Sequence, residues 1–259
     1  MKKHFPILML TLLALGLATA RAQFGGPDGN PMDDAMAKVF GTNLNFSATM
    51  DTQMKMMPKG ENIGMSGKIF FANGNSRTEM DMTKMKGGKM TPQALTQIKS
   101  MGMDKIVSIS QTDKKVIYMI YPGLQAYAKI ELPNAKSVQT NDFKVESVEL
   151  GKETLDGHPC VKNKYTVNNI KTGQRLTMTT WNATDLKKCP VKIEQSTWTS
   201  SKTFDGSTTT MHFTDINLAK PDDSLFAPPS GFKAYDSMQT MMQTEMMKKM
   251  GGMGSPSGQ

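Results

Sequence analysis

LNFSATMDTQMKM, Leu44 to Met56, alternates apolar and polar residues along its length. Leu44, Phe46, Ala48, Met50, Met54 and Met56 share one parity; Asn45, Ser47, Thr49, Asp51, Gln53 and Lys55 share the other. A period of two places the first set on one face of a β-strand and the second set on the opposite face. One wet face and one apolar face is the pattern of an antiparallel sheet covered on one side.

The same pattern continues outward. Ile63, Met65, Ile69 and Phe71 share a parity and lead into Asn73-Gly74-Asn75. Asn-Gly between apolar runs is a strong hairpin signal. The returning strand sets Thr78, Met80 and Met82 against Arg77, Glu79 and Asp81, and Gly87-Gly88 ends it. Thr91 to Met103 reads as a helix, with Thr91 as N-cap and Pro92 at its first position. Short strands follow at Lys105–Gln111, Lys115–Tyr121 and Ala126–Leu132. Val116 to Tyr121 is apolar on both parities, which predicts burial on both faces. Val145 to Trp198 holds both cysteines and both tryptophans and reads as three or four strands; a last long strand runs from Ser207 to Leu218. The total is about ten or eleven strands and two or three helices, a mainly β (α+β) chain built on a single large antiparallel sheet. A sheet of this size curls, and its apolar face needs helices as a cover.

The N-terminus reads as a targeting segment. Lys2 and Lys3 precede the apolar run Ile7–Leu17, and Ala20-Arg21-Ala22 has small residues where a signal peptidase needs them. This predicts a secretory signal over 1–22, cut after Ala22, and a periplasmic location. As a membrane anchor the run falls short of the roughly 20 residues a span requires. No cysteine follows the cleavage point for lipid attachment, and no later stretch is apolar enough to span a bilayer. Residues 23–32 read as a flexible Gly/Pro linker and Asp33–Phe40 as a short helix; 33–235 form the folded domain, and 236–259 a Met-rich helix with a flexible tail.

Residues 1–22 carry three basic side chains and no acid, so 31 basic residues become 28 against 23 acidic ones, a net of +5. This mild excess is compatible with a peripheral envelope contact. It forms no compact basic patch with interleaved aromatics, which argues against nucleic acid. Two cysteines in an oxidising compartment suggest a Cys160–Cys189 disulfide, with two free thiols as the alternative. Cys160 shares parity with Lys162 and Lys164, whereas Cys189 shares parity with Val191 and Ile193, so a bridge requires one of them to sit in a turn.

The order of elements resembles the superfamily of periplasmic lipoprotein carriers and outer-membrane lipoprotein receptors (LolA/LolB-like). GKIFFANGNSRTEMDM, Gly67 to Met82, is similar to the carrier pattern of a strand, a Gly turn and an Arg-bearing strand. Leu150–Val167 (LGKETLDGHPCVKNKYTV), Trp181–Lys192 (WNATDLKKCPVK) and Asp222–Met238 (DDSLFAPPSGFKAYDSM) resemble an uncharacterised exported bacterial family with this fold. The last of these matches a closing motif Leu-Phe-x-x-Pro-x-Gly-aromatic. The resemblance covers roughly Leu44 to Met238 and implies a curved half-barrel whose apolar concave side receives acyl chains. On that basis Leu44, Phe46, Met50, Ile69, Phe71, Met80 and Met82 are expected to line the ligand site; an ordinary filled core is the alternative.

Methionine is abundant, 25 residues in all. Met238, Met242, Met246, Met250 and Met253 fall near one stripe of a helix. Such a stripe suits a lid or an adaptable apolar contact. A disordered tail and Cu(I) binding through thioethers are the alternatives. No nucleophile elbow, phosphate loop or metal cluster is legible. His158 reads as a turn residue and His212 as an exposed strand residue. The expectation is a non-enzymatic protein with no cofactor and no metal site. It would bind a lipid, an acyl chain, an acylated protein or another apolar ligand. A structural envelope-interaction module and a Met-based copper binder are the other readings.

Overall fold

The computed structural model describes residues 44–56, 61–88, 91–111, 113–131, 143–169, 175–198 and 207–252. The signal segment, the linker, the helix expected at Asp33–Phe40 and the tail from Met253 lie outside the described residues. The strands are β1 (Phe46–Met56), β2 (Glu61–Ala72), β3 (Asn75–Asp81), β4 (Lys86–Gly87), β5 (Lys105–Gln111), β6 (Val116–Tyr121) and β7 (Ala126–Glu131). They continue as β8 (Phe143–Leu155), β9 (His158–Asn169), β10 (Arg175–Ala183), β11 (Pro190–Trp198), β12 (Ser207–Asn217) and β13 (Lys233–Tyr235). The α-helices among the described residues are α1 (Pro92–Ser100) and α2 (Met238–Gly252).

The strands form one sheet in the order β13-β7-β6-β5-β3-β2-β1-β12-β11-β10-β9-β8, with β4 also pairing with β2. The two ends of this order do not pair, so the sheet is not closed. Thirteen strands and two helices fit the expected α+β half-barrel. The strand count exceeds ten or eleven because the two-residue β4 and three-residue β13 leave no periodic trace. Among the described ladders, the pair at one edge departs from the antiparallel rule: β13 runs parallel to β7. The chain divides into two compact units. One comprises 42–55, 61–132 and 211–259; the other includes 133–210.

In the first unit each predicted turn has its physical reason. Asn73 and Gly74 adopt φ of 52° and 77°, the left-handed pair that closes a two-residue hairpin between Ala72 and Asn75. Thr91 Oγ1 accepts from Ala94 N–H at 3.2 Å and Pro92 opens α1. The helix stops at Ser100, short of the expected Met103. Gly102 takes φ +74°, its N–H bonds Lys99 O, and Met103 N–H bonds Ile98 O. This is a Schellman stop, and Ile98 and Met103 are the buried pair that accompanies it.

The middle strands β5 and β6 of this unit are buried on both faces, as the two-parity pattern of β6 predicts. Cross-strand register assigns Ile69, Met80, Ile106, Met119, Tyr121 and Ala128 to one face. Ala72, Val107, Ile109 and Ile120 occupy the other and pack with Phe226, while Phe70, Tyr118, Tyr127, Leu225 and Phe232 surround them. The closing motif supplies Leu225, Phe226 and Phe232. Asp222 caps its short 3-10 turn by accepting from Ser224 N–H at 2.8 Å. Arg77 Nη1 donates to Leu225 O at 3.0 Å and Gln111 Nε2 to Phe226 O at 2.6 Å. The motif is a strap across the second face of the sheet, and it delivers β13 to the edge of β7.

In the other unit, Asp156 and Gly157, both at positive φ, turn β8 into β9. His158 is therefore the first residue of a strand, paired with Leu155, rather than a turn residue. Leu176, Met178, Val167, Val191 and Ile193 are buried. Trp181 lies between its two cross-strand neighbours, Lys162 and Lys192. Each ammonium stands 4.5 Å from the ring centroid, and the indole N–H donates to Glu153. β8 exposes Val148 and Leu150. Its charged residues and the register shift between Glu149 and Gly151 are the usual protections of an edge strand.

The expected Cys160–Cys189 bridge is not formed, and both residues are free and buried. Cys160 pairs with Ala183 on one side of β10, while Cys189 O accepts from Ala183 N–H on the other. Two strand spacings, about 9–10 Å, separate the backbones, beyond the roughly 7 Å a disulfide spans. Cys189 does sit in a turn, but on the wrong side of the intervening strand.

Gly102 and Gly123 approach so closely that a Cβ on Gly102 would stand 2.5 Å from Gly123 O. Gly102→Ala is expected to lower stability by about 1–3 kcal/mol through overpacking and the positive φ. A urea midpoint equal to that of the parent protein would remove the contact as a constraint. Both thiols are expected to react with a thiol reagent only after denaturation, since burial raises the Cys160 thiol and pushes Cys189 up to about 12. Identical denaturation midpoints with and without reductant would accompany that result; a reductant-dependent midpoint would contradict it.

Candidate apolar site

The seven residues expected to line a ligand site all belong to the first unit. Leu44, Phe46, Met50, Ile69 and Met82 are buried, whereas Phe71 and Met80 are half-buried. Phe46, fully enclosed, stacks at a tilt on Phe71 with ring centroids 5.9 Å apart. It meets Phe213 of β12 edge-on at 6.5 Å. Ile69 and Met80 share a sheet face through the β2–β3 register. Met82 departs from the expectation. It lies beyond β3 in the one-turn 3-10 helix Met82–Lys84, its N–H bonded to Asp104 O at 2.7 Å, so it packs at the end of the sheet.

Two contributors were not singled out from the sequence. Phe213 belongs to the run Met211, His212, Phe213, whose alternation buries both apolar members. The second is a line of hydroxyls. Thr78 pairs with Ser108, and Ser76 with Ser110, on the same face as Ile69 and Phe71. Thr78 and Ser110 are buried. A mostly apolar surface with a few fixed polar groups is the composition of small-molecule sites. Next along this face, Tyr121 is buried, which pushes its phenol up to about 12, so the hydroxyl keeps its proton at neutral pH.

Helix α2 packs on β7 and β13. Ala126 and Ala128 are small and fully buried there, which leaves room for a helix. The inward line of α2 is Met241 and Glu245, four residues apart. The stripe read from the sequence, Met238, Met242 and Met246, is only half-buried and lies to the side. A buried glutamate on this line breaks the apolar pattern, which is why period alone does not mark it. Glu245 accepts from Tyr235 O–H and from Lys248 Nζ, the latter at 2.6 Å. Lys249 Nζ donates to Ser100 O at 3.3 Å, tying the end of α2 to the end of α1.

In the other unit, His158 Nδ1 lies 2.7 Å from Asp185 Oδ2, and His158 holds that carboxyl below its ordinary value. Cys160 lies two residues on along the same strand. Its thiol donates to the His158 carbonyl at 3.3 Å, and burial raises its pKa. A protonated, enclosed thiol turned to the backbone is no nucleophile for this His–Asp pair. Among the described residues no group of three or more His, Cys, Asp or Glu could hold a metal ion, and no helix is long and apolar enough to cross a membrane.

No family model matches the chain, and no curated protein is similar in sequence. Among solved structures it is similar to the lipoprotein LppX of Mycobacterium tuberculosis, at 11% identity and TM-score 0.37, over 75% of this chain and 100% of that one. It is similar to LprF from Mycobacterium bovis at 12% identity and TM-score 0.35, over 75% and 98%. A DUF1329 family protein from Desulfovibrio piger matches at 11% identity and TM-score 0.32, over 80% and 96%. At these scores the likeness decides nothing about this chain, whose function rests on its own residues.

Burial pushes the Glu245 carboxyl up, but the bonds from Lys248 and Tyr235 outweigh it and hold the group below its ordinary value of 4.5. A depressed carboxylate contributes its stability fully above the unfolded value and loses it as pH falls through the folded one. Hydrogen-exchange protection of α2 is therefore expected to be level above the ordinary glutamate value and to decline below it. Glu245→Gln is expected to weaken protection at neutral pH and remove that acid step. A step unchanged by the substitution would place its origin elsewhere.

Proposed function

We propose that this chain is a non-enzymatic, exported binding protein of carrier type, which holds a lipid or acyl chain on one sheet face of its first unit. The export signal over 1–22, the periplasmic location, the 33–235 body and the Met-rich segment from 236 are parts of the same proposal. The observation that carries it is the composition of that face. Phe46, Met50 and Ile69 are a buried apolar floor, Phe71 and Met80 stay half-open, and Ser76, Thr78, Ser108 and Ser110 cross it with hydroxyls. An acyl chain would lie along the floor while its polar head met the hydroxyls. Helix α2 would serve as the cover, since thioethers adapt to varied apolar shapes.

A filled core that acts only as a scaffold is the second reading. It is favoured by the full enclosure of Phe46 between Phe71 and Phe213.

Native mass spectrometry of the protein purified from an envelope fraction, with organic extraction of bound material, separates the two. The carrier reading expects a discrete added mass that extracts as lipid. Phe71→Ala removes about 1.5 kcal/mol or more of apolar contact and is expected to weaken retention about tenfold. An unliganded mass that stays unchanged when lipid is added would sink the carrier reading and leave the scaffold.

A further inference from the structure

One end of the first unit concentrates positive charge. Lys105 begins β5 opposite Asp81, and Lys84 lies in the adjoining 3-10 turn. Both lysines act on the Asp81 carboxylate, which also accepts from Thr83. Lys86 pairs with Gly64 in the short β4 ladder. Lys99 is in the last turn of α1, and the Lys249–Ser100 bond brings the last turn of α2, with Lys248 and Lys249, to the same place. All six lysines are exposed.

The carboxylates at this end are fewer: Asp81, Asp104 and the buried Glu245, which Lys248 already bridges. Six lysines against three acids leave a net of three positive charges. The C-termini of the two helices offset about half a charge each, so an excess remains. Beside Lys248 and Lys249, Met247 is 65% exposed, one of three large apolar side chains that stand open among the described residues. An exposed thioether on the same stretch of helix as two lysines presents an apolar tip and ammonium groups at one end of the unit, the combination that the headgroup boundary of a bilayer takes up.

We propose that this end of the unit, formed by the last turns of α1 and α2, the Met82–Lys84 turn and the start of β5, is a docking surface for an anionic lipid bilayer. The surface stands on its own charge. Its use for delivery rests on the carrier reading, because docking there sets the free end of the covering helix α2 against the membrane from which a lipid would be taken or to which it would be passed.

The test is flotation of the full chain with vesicles of phosphatidylglycerol and phosphatidylcholine, and with phosphatidylcholine alone, at low and at 0.5 M salt. Binding is expected only to the anionic vesicles and to be lost at high salt, where charges are screened. The triple variant Lys84→Gln, Lys99→Gln, Lys249→Gln is expected to bind about 100-fold more weakly, since each lysine near an anionic surface contributes about fivefold. Met247→Gln should weaken binding severalfold without changing its salt dependence. Lys152→Gln with Lys187→Gln, exposed lysines of the other unit, should leave it unchanged.

Circular dichroism of each variant confirms folding. Equal binding to neutral vesicles, absence of binding at low salt, or an equal loss in the control pair would overturn the proposal. The outcome is independent of ligand content. Docking without any co-purifying lipid would sink the carrier reading and keep the surface; bound lipid without docking would do the reverse.

Discussion

The first unit depends on the capture of two backbone carbonyls. Leu225 O and Phe226 O belong to a segment with no ladder of its own, and leaving them unpaired beside a buried face would cost about 1–3 kcal/mol each. Arg77 of β3 and Gln111 of β5 reach them from the sheet. Phe226 can then enter the cluster of Ala72, Val107, Ile109 and Ile120. Without that strap the second face of β5 and β6 would be open, and their continuous apolar runs would be a liability. The strap also explains the parallel pairing of β13 with β7, since a chain that crosses a face returns at the sheet edge in the direction its crossover dictates.

The opposite face has two features that an all-apolar surface lacks. Hydroxyls cross it where β3 and β5 meet, and the helix α2, which packs on β7 and β13, is fastened by a charged contact. Glu245 is buried on the same line of α2 as Met241 and is stabilised by Tyr235 and Lys248. A helix held this way has a defined orientation with little dependence on shape complementarity. Buried polar bonds specify geometry, and thioethers fill the remaining space in more than one way.

Much of this was legible from local pattern. The alternation from Leu44, the Asn73-Gly74 turn, the Thr91-Pro92 helix start and the two-sided burial of β6 appear in the structure as expected. Phe46, Met50 and Ile69 are buried strand residues, because parity decides which face a strand residue occupies. Other features were not legible for a common reason. Met82 leaves its strand one residue early, the inward line of α2 passes through a glutamate, and β10 stands between the two cysteines. Each depends on which strands become neighbours, and period within one segment carries no record of that.

What the sequence by itself determined is local: strand or helix, which residues share a face, where turns and caps fall. Backbone sterics and hydrophobic periodicity act over a few residues, so they can be read one segment at a time. The tertiary structure alone decided the order of the strands and the pairing of Arg77 and Gln111 with a strap more than 100 residues away. It also separated Cys160 from Cys189 and gathered lysines from two helices, a turn and two strands at one end. Those outcomes follow from long-range hydrogen bonding and burial, in which each group's partner is chosen by the whole chain.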